Sequence, residues 1–281
     1  MRHLGLILVA LLQVPAFAWA EDAPRAEQEG PRELPWLRLE LSGRIASPLR
    51  GRFKTGEDRL ADGFLTAKDA HVPNRPALGL NAELDVEVLD WAGVGLVYWG
   101  LWQDAPRRSI HYEGLNLNGR RFAGGEPLSA RLDAHFAEVS LRYVWVHRPG
   151  PRLWFGLGAA WGSLRLALRG AGVRATTRLQ ALFAPSLCYE LAARPLDWLV
   201  LYFTSGIAVS PERFPSWASR FRVGLRLRLL PGVELVAGIG LRNLVFGDWR
   251  ELIRKDVRPG HRWRHARVTN VGLDLGLSFS L

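Results

Sequence analysis

Residues 78–88 read Leu-Gly-Leu-Asn-Ala-Glu-Leu-Asp-Val-Glu-Val, a strict alternation of apolar with polar or small side chains. Every even position is apolar, and the odd positions Glu83, Asp85 and Glu87 carry carboxylates. Successive side chains of a β-strand point to opposite faces, so this stretch predicts a strand with one apolar and one acidic face. The same alternation recurs about ten times along the chain.

The alternating segments predict ten strands, although the pattern alone leaves eight or twelve open. They are 36–47, 77–89, 92–102, 130–146, 152–168, 177–192, 197–208, 219–229, 233–246 and 263–281. In the fourth, Leu132, Ala134 and Phe136 are out of phase with Val139 and Leu141, which predicts a β-bulge near 136–137. In the sixth, the apolar residues Leu179, Ala181, Phe183, Leu187, Tyr189 and Leu191 all fall on one face.

Connection lengths also alternate. Short turns are predicted at 89–92, 147–152, 193–197 and 230–233. The other connections are mostly long and polar: 48–75, 103–129, 169–176, 209–218 and 247–262. This alternation is typical of outer-membrane β-barrels, whose short turns and two termini lie in the periplasm. Aromatic residues near strand ends, such as Trp91, Tyr98, Trp102, Tyr143, Trp154 and Trp198, are typical of interfacial girdles.

The N-terminus carries the features of a secretory signal peptide over residues 1–20. A basic start precedes the apolar run Leu4–Leu12, and Ala18-Trp19-Ala20 matches a cleavage site. Residues 21–33 are polar and predict a periplasmic lead-in, which leaves 34–281 for the barrel. No later segment has 18 uninterrupted apolar residues, so membrane helices are not expected.

The last strand resembles the C-terminal assembly signal of Gram-negative outer-membrane β-barrel proteins. Gly272, Gly276 and the apolar series ending in Phe279 and Leu281 carry the resemblance, although that family usually ends in Phe or Trp. The resemblance implies an all-β, ten-stranded antiparallel up-and-down transmembrane β-barrel in the cell outer membrane. It also implies the barrel assembly machinery as a partner, and we expect a monomer. A secreted β-sandwich is the alternative architecture.

The chain is basic, with a formal net charge of +10 carried mostly by arginine. An exported chain rarely meets nucleic acid, so outer-membrane lipid and the phosphates of lipopolysaccharide are the expected partners. Candidate residues lie in the connection 247–262, although a solvated loop explains them equally well. They are Arg250, Arg254, Lys255 and Arg258.

Inward-facing charges predict an ion-pair network in the lumen. Glu83, Asp85 and Glu87 lie nearly opposite Arg222, Arg226 and Arg228 in a ten-stranded ring, and a small barrel brings them within pairing distance. The predicted network also includes Asp133, His135, Glu138 and Arg142. A charge-lined pore is the alternative interpretation of the same residues.

Asp133 and His135 share one face of the fourth strand, where a carboxylate can orient an imidazole for general-base chemistry. The pair is similar to the Asp-x-His of omptins, ten-stranded outer-membrane proteases, for which Glu83 and Asp85 could supply an acidic pair. Lipid A deacylase barrels use a lipid-facing His and Ser, whereas His135 is predicted to face the lumen. No metal site or cofactor is predicted.

The sequence therefore predicts a non-enzymatic outer-membrane barrel that is structural or binds partners through its extracellular loops, with ion pairs filling the lumen. A narrow ion or solute pore is the first alternative. An omptin-like surface hydrolase that uses Asp133 and His135 is the second.

Overall fold

The computed structural model describes fourteen strands. The described residues are 37–47, 50–56, 65–66, 76–89, 91–109, 114–117, 120–123, 127–146, 152–170, 172–210, 216–247 and 263–281. The strands are β1 (Leu37–Ala46), β2 (Arg50–Gly56), β3 (Leu65–Thr66), β4 (Ala77–Leu89), β5 (Ala92–Ser109), β6 (Gly114–Leu117), β7 (Arg120–Ala123), β8 (Pro127–Val146), β9 (Arg152–Arg169), β10 (Arg174–Leu196), β11 (Leu199–Val209), β12 (Trp217–Leu230), β13 (Val233–Phe246) and β14 (Trp263–Ser280). The predicted signal peptide, the lead-in and the basic residues of 247–262 named above lie outside the described residues.

Ten strands form a closed antiparallel ring in the order β1-β4-β5-β8-β9-β10-β11-β12-β13-β14. The ring closes where β1 pairs with β14, with Leu39 opposite Phe279 and Ala46 opposite Gly272. The Leu281 amide donates to the Leu37 carbonyl at 3.0 Å and ties the last residue to the first strand. The predicted ten-stranded up-and-down barrel is therefore confirmed.

The remaining strands extend one end of the ring. Strand β2 continues past the end of β1 along β14, with Thr55 opposite Arg264, and it also pairs with β3. Strands β6 and β7 form a separate hairpin between β5 and β8. Among the described residues, no helix is long and apolar enough to cross a membrane.

Short and long connections lie at opposite ends, which we call the turn end and the loop end. At the turn end, Pro231 and Gly232 join β12 to β13, and Gly232 has the positive φ of 75° that such a tight turn requires. Two predicted connections were wrong. Strand β10 runs on to Leu196, so the turn predicted at 193–197 comes later, at 197–198. The predicted loop 169–176 is a tight turn, closed by the Gly170 amide donating to the Val173 carbonyl at 2.9 Å.

Apolar side chains cover the outside of the ring. Every one of the ten ring strands contributes exposed aliphatic residues, such as Leu141 (71% exposed), Leu157 (64%) and Leu275 (61%). Trp91, Tyr143 and Trp198 are exposed near the turn end, in the place of an interfacial girdle. Trp154 was wrongly assigned to the girdle, because it is 6% exposed and packs inside the lumen against Arg142. A surface this apolar has lipid, not water, as its solvent.

The predicted bulge near 136–137 was also wrong. Strand β8 keeps one register against β9 from Ser129 to Val144, and its even-numbered side chains from Leu128 to Arg142 are all buried. The register shift lies instead in β10, between Phe183 and Ser186. Odd-numbered residues of β10 face inward up to Phe183, and even-numbered residues face inward from Ser186 onwards. The six apolar residues of the sixth predicted strand therefore do not share one face.

Candidate functional site

The turn-end half of the lumen is filled with charged side chains that point inward from nearly every ring strand. Their carboxylates and guanidiniums form ion pairs with one another, and most of these side chains are almost completely buried. We call this set the lumen network. It consists of Arg38, Glu40, Arg44, Glu83, Asp85, Glu87, Glu138, Arg142, Arg152, Glu190, Arg220, Arg222, Arg226, Arg242 and Asp274.

Arg222 lies at the centre of the lumen network. Its guanidinium pairs with Glu40 of β1, three strands away around the ring, and Arg222 Nη1 lies 3.6 Å from Glu83 Oε1. Arg222 Nε lies 3.3 Å from Asp274 Oδ2, so one guanidinium links strands β1, β4 and β14 to β12. Arg226 shares Glu40 with it, at 3.4 Å. Such shared pairing lets buried charges compensate one another where water is excluded.

Towards the turn end, Arg38 donates to Asp85 through Nε at 2.9 Å and to Glu190 through Nη1 at 3.1 Å. Asp85 also pairs with Arg142, whose guanidinium carbon lies 3.8 Å from the centre of the Trp154 ring. A cation held over an indole face gains a further electrostatic attraction. This layer therefore combines ion pairs with cation–π contacts.

Most of the carboxylates and arginines predicted for the lumen do face inward, but several have other partners than expected. Glu83 Oε1 lies 3.6 Å from Arg222 Nη1, and Glu138 Oε1 lies 3.5 Å from Arg220 Nη2. Asp85 and Glu87 pair with Arg38, Arg142 and Arg152 rather than with arginines of β12, because the nearer strands reach them first. Arg226 forms ion pairs with Glu40 and Glu190.

Arg228 was wrongly assigned to the lumen. The β12–β13 pairing shifts register between Arg228 and Leu230, and Arg228 is exposed at the turn end. Among the described ion pairs, none includes its side chain.

Sequence reasoning missed half of the network. Arg38, Glu40 and Arg44 occupy alternate positions of β1, and Glu190, Arg242 and Asp274 face inward from three other strands. The signal was present, because a run of charges on the polar face of an amphipathic strand marks the lumen side.

Above the charged layer, the loop-end half of the lumen is apolar. Trp99 stacks on Phe136 with ring centres 5.5 Å apart, and Phe183 lies 6.5 Å from Phe136 and 6.1 Å from Phe246. We call this set the apolar layer. Its further members include Leu101, Leu128, Leu132, Leu164, Leu166, Leu168, Leu244 and Val268, all almost completely buried. At the boundary, a cavity of about 10 Å³ lined by Arg44, Trp99, Arg222 and Asp274 has room for a single water.

Asp133 and His135 were wrongly assigned to the lumen. Because even-numbered residues of β8 face inward, both side chains lie on the outer surface of the barrel. The Tyr98 hydroxyl and His135 Nδ1 share a hydrogen bond of 2.9 Å, and Trp102 packs edge-on against the imidazole. Asp133 accepts a hydrogen bond of 2.9 Å from Arg131. The barrel wall separates this pair from Glu83 and Asp85, so the four carboxylate and imidazole groups cannot form one omptin-like site.

The outward position gives His135 a different neighbour. Ser163 of β9 lies directly opposite His135 in the register, on the same outer surface. Side chains at opposite positions of paired strands have Cβ atoms about 4.5–5.5 Å apart. An outward imidazole and hydroxyl are thus neighbours, with Ser163 itself only 3% exposed; the predicted inward phase of His135 had excluded this arrangement. In the part of the chain that the structure describes, no cluster of three or more His, Cys, Asp and Glu side chains could hold a metal ion.

Comparisons with known proteins give structural matches only. No protein-family model matches the sequence, and no curated protein matches it. The outer membrane protease OmpT from Escherichia coli aligns over 90% of this chain and 100% of its own, with 10% identity and a TM-score of 0.48. The attachment invasion locus protein Ail of Yersinia pestis aligns over 86% and 99%, with 12% identity and a TM-score of 0.32. The P. putida toluene transporter TodX aligns over 88% and 90%, with 12% identity and a TM-score of 0.34.

The fold itself carries the assignment. A closed antiparallel ring pairs the backbone of each strand with both of its neighbours, and the apolar exterior matches a lipid environment. The chain is an outer-membrane β-barrel protein of the Gram-negative type.

Proposed function

We propose that this protein is a sealed, non-enzymatic outer-membrane barrel that acts as a structural element or binds partners through its extracellular loops and outer surface. One observation carries the proposal: two different layers close the lumen in series. The lumen network fills the turn-end half, and the apolar layer fills the loop-end half.

The two layers oppose conduction for different physical reasons. A conducting pathway needs charges that exchange partners with passing ions, whereas Glu40 and Asp274 are held by buried guanidiniums and have no solvent exposure. The packed rings of Trp99, Phe136 and Phe183 offer an ion no hydration at all. These features support the sealed barrel over the narrow pore.

Planar-bilayer recording tests the proposal. We expect the wild-type barrel, and each of the single variants Arg222→Ala and Phe136→Ala, to show no stable channels. The combined variant opens both layers and should conduct. Stable, ion-selective channels in the wild type would overturn the proposal and favour the charge-lined pore.

A second candidate function, a surface ester hydrolase, is favoured by the outward position of His135 opposite Ser163. In such a reaction Ser163 Oγ adds to an ester carbonyl while His135 takes its proton and passes it to the leaving alcohol, and water then hydrolyses the acyl-enzyme. The Tyr98 hydroxyl, bonded to Nδ1, orients the ring. The site lies on the outer surface just beyond the apolar exterior, at the level of the outer-leaflet head groups, so the acyl esters of outer-leaflet lipid are the substrate class.

Mass spectrometry of outer-membrane lipid tests the second candidate. Overexpressed wild type should release fatty acid, and Ser163→Ala or His135→Ala should abolish the release. Ser219→Ala, another outward serine, is the matched control. Unchanged lipid in cells that carry folded wild-type barrel would reject the hydrolase.

A further inference from the structure

We propose that the outer surface of the β9–β10 hairpin binds the phosphate groups of lipopolysaccharide. The binding residues are Arg165, Arg169, Arg174 and Arg178, which we call the outer arginine surface. The inference rests on the proposed function, since it names a ligand and a site for the outside of a sealed barrel.

The outer arginine surface places like charges directly opposite each other. In the register of the two strands, Arg165 faces Arg178 and Arg169 faces Arg174. Like charges at opposite positions of paired strands destabilise a sheet. All four side chains are exposed, and within the described residues none of them forms an ion pair. Asp133 lies opposite Arg165 in the β8–β9 register, but it accepts a hydrogen bond from Arg131 instead. The four exposed guanidiniums therefore remain available to an external anion.

The position of the surface fits the head groups of the outer leaflet. Trp161 on β9 and Leu182 on β10 face outward at the upper border of the apolar exterior, and Leu182 is 55% exposed. Arg165 lies four residues beyond Trp161, about 13 Å along the strand and less along the membrane normal because barrel strands are tilted. The first arginine pair thus lies just outside the acyl chains, where lipid phosphates are found.

The second pair distinguishes between lipid classes. Arg169 and Arg174 lie a further four residues from the membrane along the same strands. A glycerophospholipid presents one phosphate at the head-group level, whereas lipopolysaccharide carries phosphates on lipid A and further anionic groups on the sugars above it. Two successive levels of arginine match the second arrangement. Guanidinium groups also bind phosphate oxygens through two parallel hydrogen bonds, which an ammonium cannot do.

Binding to nanodiscs tests the inference with the full-length protein. Wild type, Arg165→Gln/Arg178→Gln and Arg169→Gln/Arg174→Gln are refolded into phosphatidylcholine nanodiscs and titrated with lipopolysaccharide. The control variant Arg194→Gln/Arg228→Gln removes the same charge from exposed arginines at the turn end. We expect each outer-surface variant to weaken binding by about tenfold or more and the control to bind as wild type does.

Two further probes identify the ligand. Removing the phosphates from lipopolysaccharide should weaken its binding to wild type at least as much as the Arg165→Gln/Arg178→Gln substitutions weaken binding of the intact molecule. Nanodiscs containing phosphatidylglycerol should not compete. Equal binding by wild type and both outer-surface variants, strong binding of the dephosphorylated form, or full competition by phosphatidylglycerol would overturn the inference. A barrel that conducts ions would reject the sealed lumen without affecting this result.

Discussion

Arg44 and Asp274 form a fully buried ion pair across the seam that closes the barrel. Arg44 Nη1 donates to Asp274 Oδ2 at 2.8 Å, and neither side chain has any solvent exposure. The two residues are opposite each other in the pairing of the first and last ring strands. Arg222 and Arg242 lie 3.3 and 3.7 Å from the same carboxylate. The Asp274 carboxylate therefore belongs both to the seam that closes the ring and to the lumen network.

Removal of this carboxylate should be strongly destabilising. Asp274→Ala leaves Arg44 buried without its counter-charge, and breaking one side of a buried pair costs about 3–5 kcal/mol. Urea unfolding of the folded barrel in detergent, followed by tryptophan fluorescence, measures the change. Asp104→Ala is the control, because Asp104 is 75% exposed and lies 3.9 Å from Arg131. The control should change the free energy of unfolding by about 0–1 kcal/mol, and equal effects would contradict the prediction.

Charge on the lipid-facing surface should be costly only at membrane depth. Leu84 faces outward between Leu39 and Leu96, so Leu84→Arg should destabilise the barrel in lipid vesicles by about 2–4 kcal/mol. Asn243→Arg, outward on β13 near the loop end, should cost about 0–1 kcal/mol. A similar cost at both positions in vesicles would argue against the membrane position of the apolar exterior.

The strand count and the ring could be predicted from sequence for a simple reason. Side chains of a strand alternate between the outer and the inner face of the barrel wall. Where the barrel crosses the membrane, the outer face meets lipid and the inner face meets the polar lumen. Strands β4 and β13 therefore have the predicted bounds to the residue. The alternation is strongest where the barrel crosses the membrane.

Beyond the membrane the same pattern becomes ambiguous. There the outer face of the wall meets water and the lumen is apolar. The inward side chains of a strand are therefore the apolar ones, although the strand itself continues without a bulge. Phe136 and Leu132 point inward for this reason, and Asp133 and His135 point outward. A β-bulge, or a change of the surroundings from lipid to water, shifts the apolar residues from odd to even positions in the same way, so the sequence cannot distinguish the two. The ion-pair partners across the lumen could not be predicted either, because they depend on the stagger of the strands around the ring.

The orientation of the barrel is open to a direct labelling test. By the rule that short turns are periplasmic, the loop end faces outside the cell. In a Cys188→Ser background, Asp104→Cys near the loop end should react with a membrane-impermeant maleimide on intact cells. Pro231→Cys at the turn end should react only after the cells are lysed. The opposite labelling pattern would invert the orientation and would remove the outer arginine surface from the outer leaflet.

The apolar layer gives a last prediction that separates the two possible phases of β8. Phe136 packs between Trp99 and Phe183 inside the barrel, so Phe136→Ala should leave a cavity that neither water nor lipid fills. The expected loss is about 3–5 kcal/mol in the free energy of unfolding. Phe155→Ala on β9 is the matched control, because Phe155 faces outward beside Tyr189 and lipid chains can occupy the vacated space. If β8 had the opposite phase, Phe136 would face outward, and the two variants would have similar unfolding free energies.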